Sequence, residues 1–464
     1  MENKFFKVSA VAAALTGALM APQVMAQEAV SQEYVNDTSE FFSESTISGN
    51  VNFFMRARDR GNVDANGNDT KKTTNLDHGS IFVNLGFNSG YVGDVAGADV
   101  VVYSTFDMWQ NGGADHEMNF WGVNNPYDKV AEDSNCSNVW SDCTDNGVSF
   151  ATANAKFKFG ENVTAKLGYF QPSVPSSLGV NWSFAPGTYR GGEIGGTFGD
   201  LALGFVVADQ YKAPWFKETY EFQDGQGNDA GEVVSLGARY ALPNGISLDA
   251  GFGTLTDGDR SNMHFKVKGT TDGGFYWSPQ LYVVSDKNQY DDDIAAQLAF
   301  LSSFSSGQYS FRAEATYTMA ESTDTRGNVG NMAYRLTEQY GGSNGAYDVW
   351  WNNRSDFNHD GEIAGFLSAT RDFADIGGTG FSAGLSVAAG GGASSPGYDD
   401  LLEYAYSAFA NYAIQAGALK DANVSFYYTE YFNDSDAGNW APYSNAFQDE
   451  TDFKLMLTIP FSVK

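Results

Sequence analysis

Residues 47–58 read ISGNVNFFMRAR. Ile47, Gly49, Val51, Phe53, Met55 and Ala57 fall on one side of an extended chain, and Ser48, Asn50, Asn52, Phe54, Arg56 and Arg58 on the other. A period of two with one apolar and one polar face is the signature of a strand. The pattern recurs. In residues 149–159, SFATANAKFKF, Ala151, Ala153, Ala155, Phe157 and Phe159 alternate with Thr152, Asn154, Lys156 and Lys158. In 309–317, YSFRAEATY, the tyrosines, Phe311 and two alanines alternate with Ser310, Arg312, Glu314 and Thr316; the final run FKLMLTIPFSV (453–463) behaves alike.

A soluble β-protein also alternates, so the connections decide. Short breaks at 160–162, 243–245 and 376–380 alternate with long polar stretches near 59–78, 109–147, 171–187, 212–230, 320–345, 391–401 and 433–450. Short turns at one end and long loops at the other, joined by strands of about ten residues, describe an outer-membrane barrel. Every alternating run together gives nineteen strands, yet bacterial single-chain barrels have an even number. Counting YDVWW (347–351) as a strand would put the long stretches after it on the wrong side. Demoting it to part of one extracellular loop, 320–361, leaves an all-β, 18-stranded antiparallel barrel around an aqueous lumen.

Composition agrees. The first 26 residues pair Lys4 and Lys7 with an apolar run too short to span a bilayer and with Val24 and Ala26 at cleavage-site positions, so 1–26 reads as a signal peptide, 27–45 as a periplasmic tail and 46–464 as the barrel. Without the leader, 25 basic and 56 acidic residues remain, a formal charge of −31. That balance excludes nucleic acid as a partner, because phosphate binding needs a basic patch. After the leader no window of 18 apolar residues exists, which excludes a helical span. Cys136 and Cys143, in a polar segment of an exported chain, read as a local disulfide; a metal site there would lack further ligands.

Enzyme chemistry finds no support. His78, His116, His264 and His359 are scattered, and no G-x-S-x-G or H-E-x-x-H motif occurs. No cofactor is expected, and the glycine-rich runs are turns. Arg56, Arg58, Lys156, Lys158, Lys166, Arg239, Lys266, Lys268 and Arg312 all fall on polar faces, which makes the pore wall mixed or basic while the acids concentrate in loops.

The stretch YDVWWNNRSDFNHDGE (347–362) raises two questions. Asp356, Asn358, Asp360 and Gly361 copy the start of an EF-hand loop, but Leu367 stands where the closing carboxylate belongs, so an Asp/Asn turn held by its own hydrogen bonds is expected instead. Trp350 and Trp351 are adjacent and point to opposite faces if extended. An indole face suits a pyranose ring while Asn353, Arg354 and Asp356 bond its hydroxyls; the alternatives are packing against the wall or an interfacial girdle.

NWSFAPGTYRGGEIG (181–195), DQYKAPWFKETYEF (209–222), WWNNRSDFNHDGE (350–362) and NAFQDETDFKLMLTIPF (445–461) resemble the outer-membrane porin D superfamily, in its chitoporin branch. The resemblance spans essentially the whole mature chain. It implies a monomeric, solute-specific channel in the Gram-negative outer membrane that passively admits chitooligosaccharides. Its partners would otherwise be outer-membrane lipid, lipopolysaccharide and the barrel assembly machinery. It further implies that loop 171–187 folds inward as a constriction, that Arg190 and Glu193 face the pore, and that Trp182, Trp215, Trp350 and Trp351 contact sugar. Within the superfamily a carboxylate or amino-acid channel, or a non-specific porin, is the alternative; a surface receptor with a closed barrel is a further one. Two features depart from the family: the chain ends on Lys464 rather than an aromatic residue, and it carries the cysteine-bearing insert.

Overall fold

The computed structural model describes residues 40–61, 71–112, 120–121, 126–127, 144–322, 330–353, 355–394, 399–435 and 448–463. The expected signal peptide, the tail up to residue 39, Cys136, Cys143 and Arg354 lie outside the described residues.

Eighteen long strands form the wall: β1 Thr46–Arg60, β2 Thr73–Asn88, β3 Ala96–Gly112, β4 Gly147–Phe159, β5 Val163–Phe170, β6 Thr188–Phe198, β7 Leu201–Lys212, β8 Val233–Ala241, β9 Ser247–Leu255, β10 Ser261–Thr270, β11 Tyr276–Ser285, β12 Ile294–Ser306, β13 Tyr309–Met319, β14 Ile363–Phe373, β15 Gly378–Gly391, β16 Leu402–Ala413, β17 Asn423–Asn433 and β18 Glu450–Ser462. Each pairs antiparallel with its sequence neighbour, and β1 closes the barrel by pairing with both β2 and β18, Val51 lying opposite Val83 and Ile459. Closure leaves no edge, which a bilayer demands because it offers unpaired N–H and C=O groups no water. Residues 347–351 are not a strand. The even count reached by demoting them is the count observed.

The opening stretch behaves as its pattern requires. Asn52, Phe54 and Arg56 are buried on the lumen side, while Val51, Phe53 and Met55 form the outer face. Around the barrel Leu167, Leu236, Phe252, Phe265, Leu298, Leu367 and Leu385 stand exposed on that outer face. In water such a band would be an aggregation hazard; in hydrocarbon it is the matched surface. A groove of about 780 Å³ lies on this same apolar face between Leu203, Phe205, Leu236 and Phe252, and is not a solute site.

Bulges interrupt simple alternation, one of them in β4. Val101 pairs with Thr152 but Val102 with Phe150, so Ala151 is an unmatched extra residue. This bulge turns Ala151 off the apolar face expected for it and buries it with Phe82, Tyr103, Phe120 and Ala185. At the periplasmic end, the helical turn α1 Glu40–Ser43 docks on the β2–β3 connection, where Gly90 N donates to Phe41 O over 3.0 Å.

Candidate functional site

Two loops enter the lumen and meet there. The first, residues 171–187, begins at a clamp: Glu193 on β6 accepts from Ser173 N at 2.9 Å and Ser173 Oγ at 2.5 Å, and pairs with Lys166 at 3.1 Å. Beyond the clamp the loop lies flat on the inner wall, in a row of strand glycines. Gly195, Gly204, Gly237 and Gly251 are register partners across β6, β7, β8 and β9. A Cβ on Gly204 would stand 2.2 Å from Pro175 O, and one on Gly237 2.3 Å from Pro175 C, so no larger residue fits beneath the loop. The loop then crosses to the far side, where Phe184 packs edge-on against Phe54 at 5.1 Å and tilted against Phe82 at 5.4 Å, and Asn84 Nδ2 donates to its carbonyl at 2.8 Å. Seven strands, β2 to β8, lie between β1 and β9, so this loop spans the lumen.

The second loop joins β13 to β14. Its residues Asn344–Gly345 pair with Leu178–Gly179 of the first, and Ala346 N donates to Ser177 O at 2.8 Å. From there residues 346–353 run around the wall, tied strand by strand. Asp348 accepts from Lys266 and Lys268 on β10, both at 2.7 Å, and from Gln280 on β11 at 3.2 Å. Trp350 O accepts from Arg312 on β13 at 2.8 Å. Trp351 donates to Glu314 on β13 at 2.9 Å and stacks on Phe366 of β14 at 5.5 Å. Asn352 Oδ1 accepts from Ser386 on β15, and Asn353 Nδ2 donates to Ser407 on β16 at 3.0 Å. Burial alone would push the Asp348 carboxyl up; the Lys266 and Lys268 ammonium groups overrule it and hold it far below the usual carboxylate range.

The two tryptophans therefore differ. Trp351 is fastened to the wall between Phe357 and Phe366. Trp350, its neighbour, is half-buried and enters none of the described aromatic contacts or apolar clusters. Trp182 is half-buried at the edge of the largest cluster of buried apolar residues. Trp215 is different again: it is 2% exposed inside that cluster, with Tyr340 stacked on it at 5.3 Å, so Tyr340 rather than Trp215 presents a ring outward.

The charged residues are committed to one another. Arg56 grips Asp452 through two bonds of 2.8 and 2.6 Å, and Arg58 donates to Asn75 at 2.7 Å. Lys156, Lys158, Arg239 and Arg312 pair with Asp99, Asp94, Asp249 and Glu314. The wall expected to be mixed or basic is mixed, and most of these cations face carboxylates. Arg190 is not a lumen residue. Tyr189 and Glu193 point inward, and Arg190 lies an odd number of residues from each, so its guanidinium stands on the outer face against Asp209, which a bulge in β7 places beside it.

In the acidic turn 356–361, Asp360 and Asn358 are engaged with backbone. Asp360 caps Ala320 N at 2.6 Å, Asn358 Nδ2 donates to Met332 O at 2.7 Å, and Asp356 is exposed. Its side chains hold backbone, as an Asp/Asn turn does.

Over 455 residues, covering 91% of this chain and 92% of its counterpart, the sequence is 34% identical to the chitoporin of Escherichia coli K12. The fold matches the crystal structure of Pseudomonas aeruginosa OccK3 (OpdO) with a TM-score of 0.67 at 16% identity, over 92% of this chain and 98% of that one. It matches Pseudomonas aeruginosa OpdK, also solved with vanillate, equally well, with a TM-score of 0.67 at 16% identity over 91% and 100% of the two chains. No family model matches.

Proposed function

The chain belongs to the chitoporin family of Gram-negative outer-membrane porins, and from that premise we propose that it admits N-acetylglucosamine oligomers passively to the periplasm, with no chemistry on the solute. The observation that carries the solute class is the 34% identity to a chitoporin over nearly the whole chain. The site's electrostatics fit a neutral polar solute. A carboxylate channel would need uncompensated cations, and here Arg56, Lys166, Arg239, Lys266, Lys268 and Arg312 each face a carboxylate.

In this reading the half-buried faces of Trp350 and Trp182 stack on sugar rings, and Arg58, Asn353, Arg354 and Asp356 bond hydroxyl and acetamido groups. Trp351, Trp215, Glu193 and Arg56 act at one remove, as the frame that holds the loops. Outside the barrel, the apolar band meets lipid, the outward Arg190 reaches lipopolysaccharide, and the barrel assembly machinery inserts the chain, which works as a monomer.

Swelling of proteoliposomes in equal-osmolarity chitobiose through chitohexaose, cello-oligosaccharides, vanillate and arginine tests the solute class. Swelling in chitooligosaccharides should outpace that in cello-oligosaccharides of the same length and in the charged solutes. Rates that follow molecular size alone would reduce the protein to a non-specific porin.

A further inference from the structure

Behind Trp351, outside the solute path, three ionisable side chains converge in a sealed pocket: His359, Glu362 and Glu403, each with its side chain fully buried. The tight turn His359-Asp360-Gly361-Glu362, which needs the left-handed φ of 75° at Gly361, brings His359 Nδ1 to 3.0 Å from Glu362 Oε2. Glu403 arrives from β16. Its register partner on β15 is Gly390, which in turn pairs with Ala364 on β14. Because Gly390 has no side chain, Glu362 reaches across it; a Cβ there would stand 2.0 Å from Glu362 Oε1. His359 Nδ1 lies 3.7 Å from Glu403 Oε1.

The carboxylates are only half satisfied. Tyr431 donates to Glu403 Oε2 at 2.6 Å, and His359 N to Glu362 Oε2 at 3.0 Å, but Glu362 Oε1 and Glu403 Oε1 are buried with no hydrogen-bond donor. Phe357, Ala364, Phe366 and Ala388 seal the surroundings with hydrocarbon. Two carboxylates in such a place outnumber the single imidazole that faces them, and an uncompensated buried carboxylate is among the costliest features a fold can hold.

We propose that His359, Glu362 and Glu403 form a site for one divalent first-row transition ion of the Zn²⁺ class. One ligand atom from each residue lies within 4.8 Å of the others. Ligands of a tetrahedral Zn²⁺, with bonds of about 2.0–2.1 Å, stand about 3.3 Å apart; His359 Nδ1 already lies 3.0 and 3.7 Å from the two carboxylates, and the carboxylates draw together around the ion. One imidazole nitrogen with two carboxylates is a zinc donor set, with a fourth position for water; Ca²⁺ would want six to eight oxygens, and the pocket does not supply them. The ion would fasten the end of the inward loop to β16, fixing the belt that carries Trp350. This inference is independent of which solute the channel takes.

The test uses the full chain in detergent micelles. After chelator treatment and removal of the chelator, Zn²⁺ is titrated with metal content read by mass spectrometry, and the midpoint of heat-induced barrel unfolding is read by gel mobility. One zinc per chain should survive passage over a weak chelating resin and raise the midpoint, and Co²⁺ in its place should give the visible bands of a four-coordinate ion. Glu403→Gln and Gly390→Ala should lose the retained zinc and the shift, whereas Asp224→Asn in an exposed acidic loop should keep both. Absence of a retained zinc in the native chain, equal retention in Glu403→Gln, or displacement by equimolar Ca²⁺ would each overturn the assignment. The native-chain titration decides even if a variant does not fold.

Discussion

Replacing Asp348 with asparagine keeps the shape of the belt and removes the charge that holds it. The carboxylate sits 2.7 Å from both Lys266 Nζ and Lys268 Nζ, with those side chains 3% and 29% exposed. At an effective dielectric constant of about 20, each contact has a Coulomb ceiling of about 6 kcal/mol, most of it offset by the cost of keeping three charges from water. Breaking a buried pair by removing one partner costs about 3–5 kcal/mol. Lys268 can recover water, so about 3 kcal/mol is expected, chiefly from Lys266. That is about a 150-fold shift toward the released loop, against which the other anchors are individual hydrogen bonds of about 1 kcal/mol. In planar bilayers Asp348→Asn should show a larger, noisier open conductance than the native channel. Adding Lys266→Met should restore much of the quiet state by removing the stranded cation. A single variant with native conductance and noise would refute the clamp. The pH dependence has a definite sign: a carboxyl whose pKa is depressed in the folded state stabilises fully above its unfolded value of about 3.9, less as the medium acidifies below that, and not at all below its folded value. The clamp should therefore hold the conductance level from pH 8 down to pH 5 and fail only in strong acid.

Other substitutions separate contact from frame. Trp350→Ala should weaken chitohexaose block about fivefold with little change in heat stability, the loss of one stacking face of about 1 kcal/mol; Trp351→Ala should lower barrel stability by about 3 kcal/mol through lost packing on Phe366. Phe184→Ala removes both ring contacts that carry the first loop across the lumen and should raise single-channel conductance. Arg56→Gln strands the buried Asp452 carboxylate and should lower the unfolding midpoint markedly while leaving the preference for neutral sugars over anions unchanged; a large selectivity change would mean that the guanidinium serves the solute directly.

The wall was legible because a membrane barrel writes its two faces into alternate residues, and because strand parity forced YDVWW into a loop. What escaped the sequence is what depends on register or on a partner far along the chain. Ala151 and Asp209 sit at bulges, where one extra residue reverses the direction of everything read by counting. Arg190 lies in a block whose resemblance pointed to the pore, yet the odd spacing from the inward Glu193 already placed it on the other face. The tryptophans could not be sorted by type alone: Trp215 is packing because Tyr340, 125 positions away, covers it. Gly195, Gly204, Gly237 and Gly251 lie far apart in the sequence, and only their alignment across four strands shows them as a seat for the first loop. His359 and Glu362 are visibly three apart, but Glu403 joins them only through pairing across Gly390.

The most direct test is single-channel recording of the purified protein with chitohexaose added on the extracellular side, matched by cellohexaose at the same concentration. Micromolar chitohexaose should interrupt the open current in resolved blocking events, and cellohexaose, which lacks the acetamido groups, should block far less. Equal block by both sugars, or none at millimolar chitohexaose, would contradict a channel built for N-acetylglucosamine oligomers.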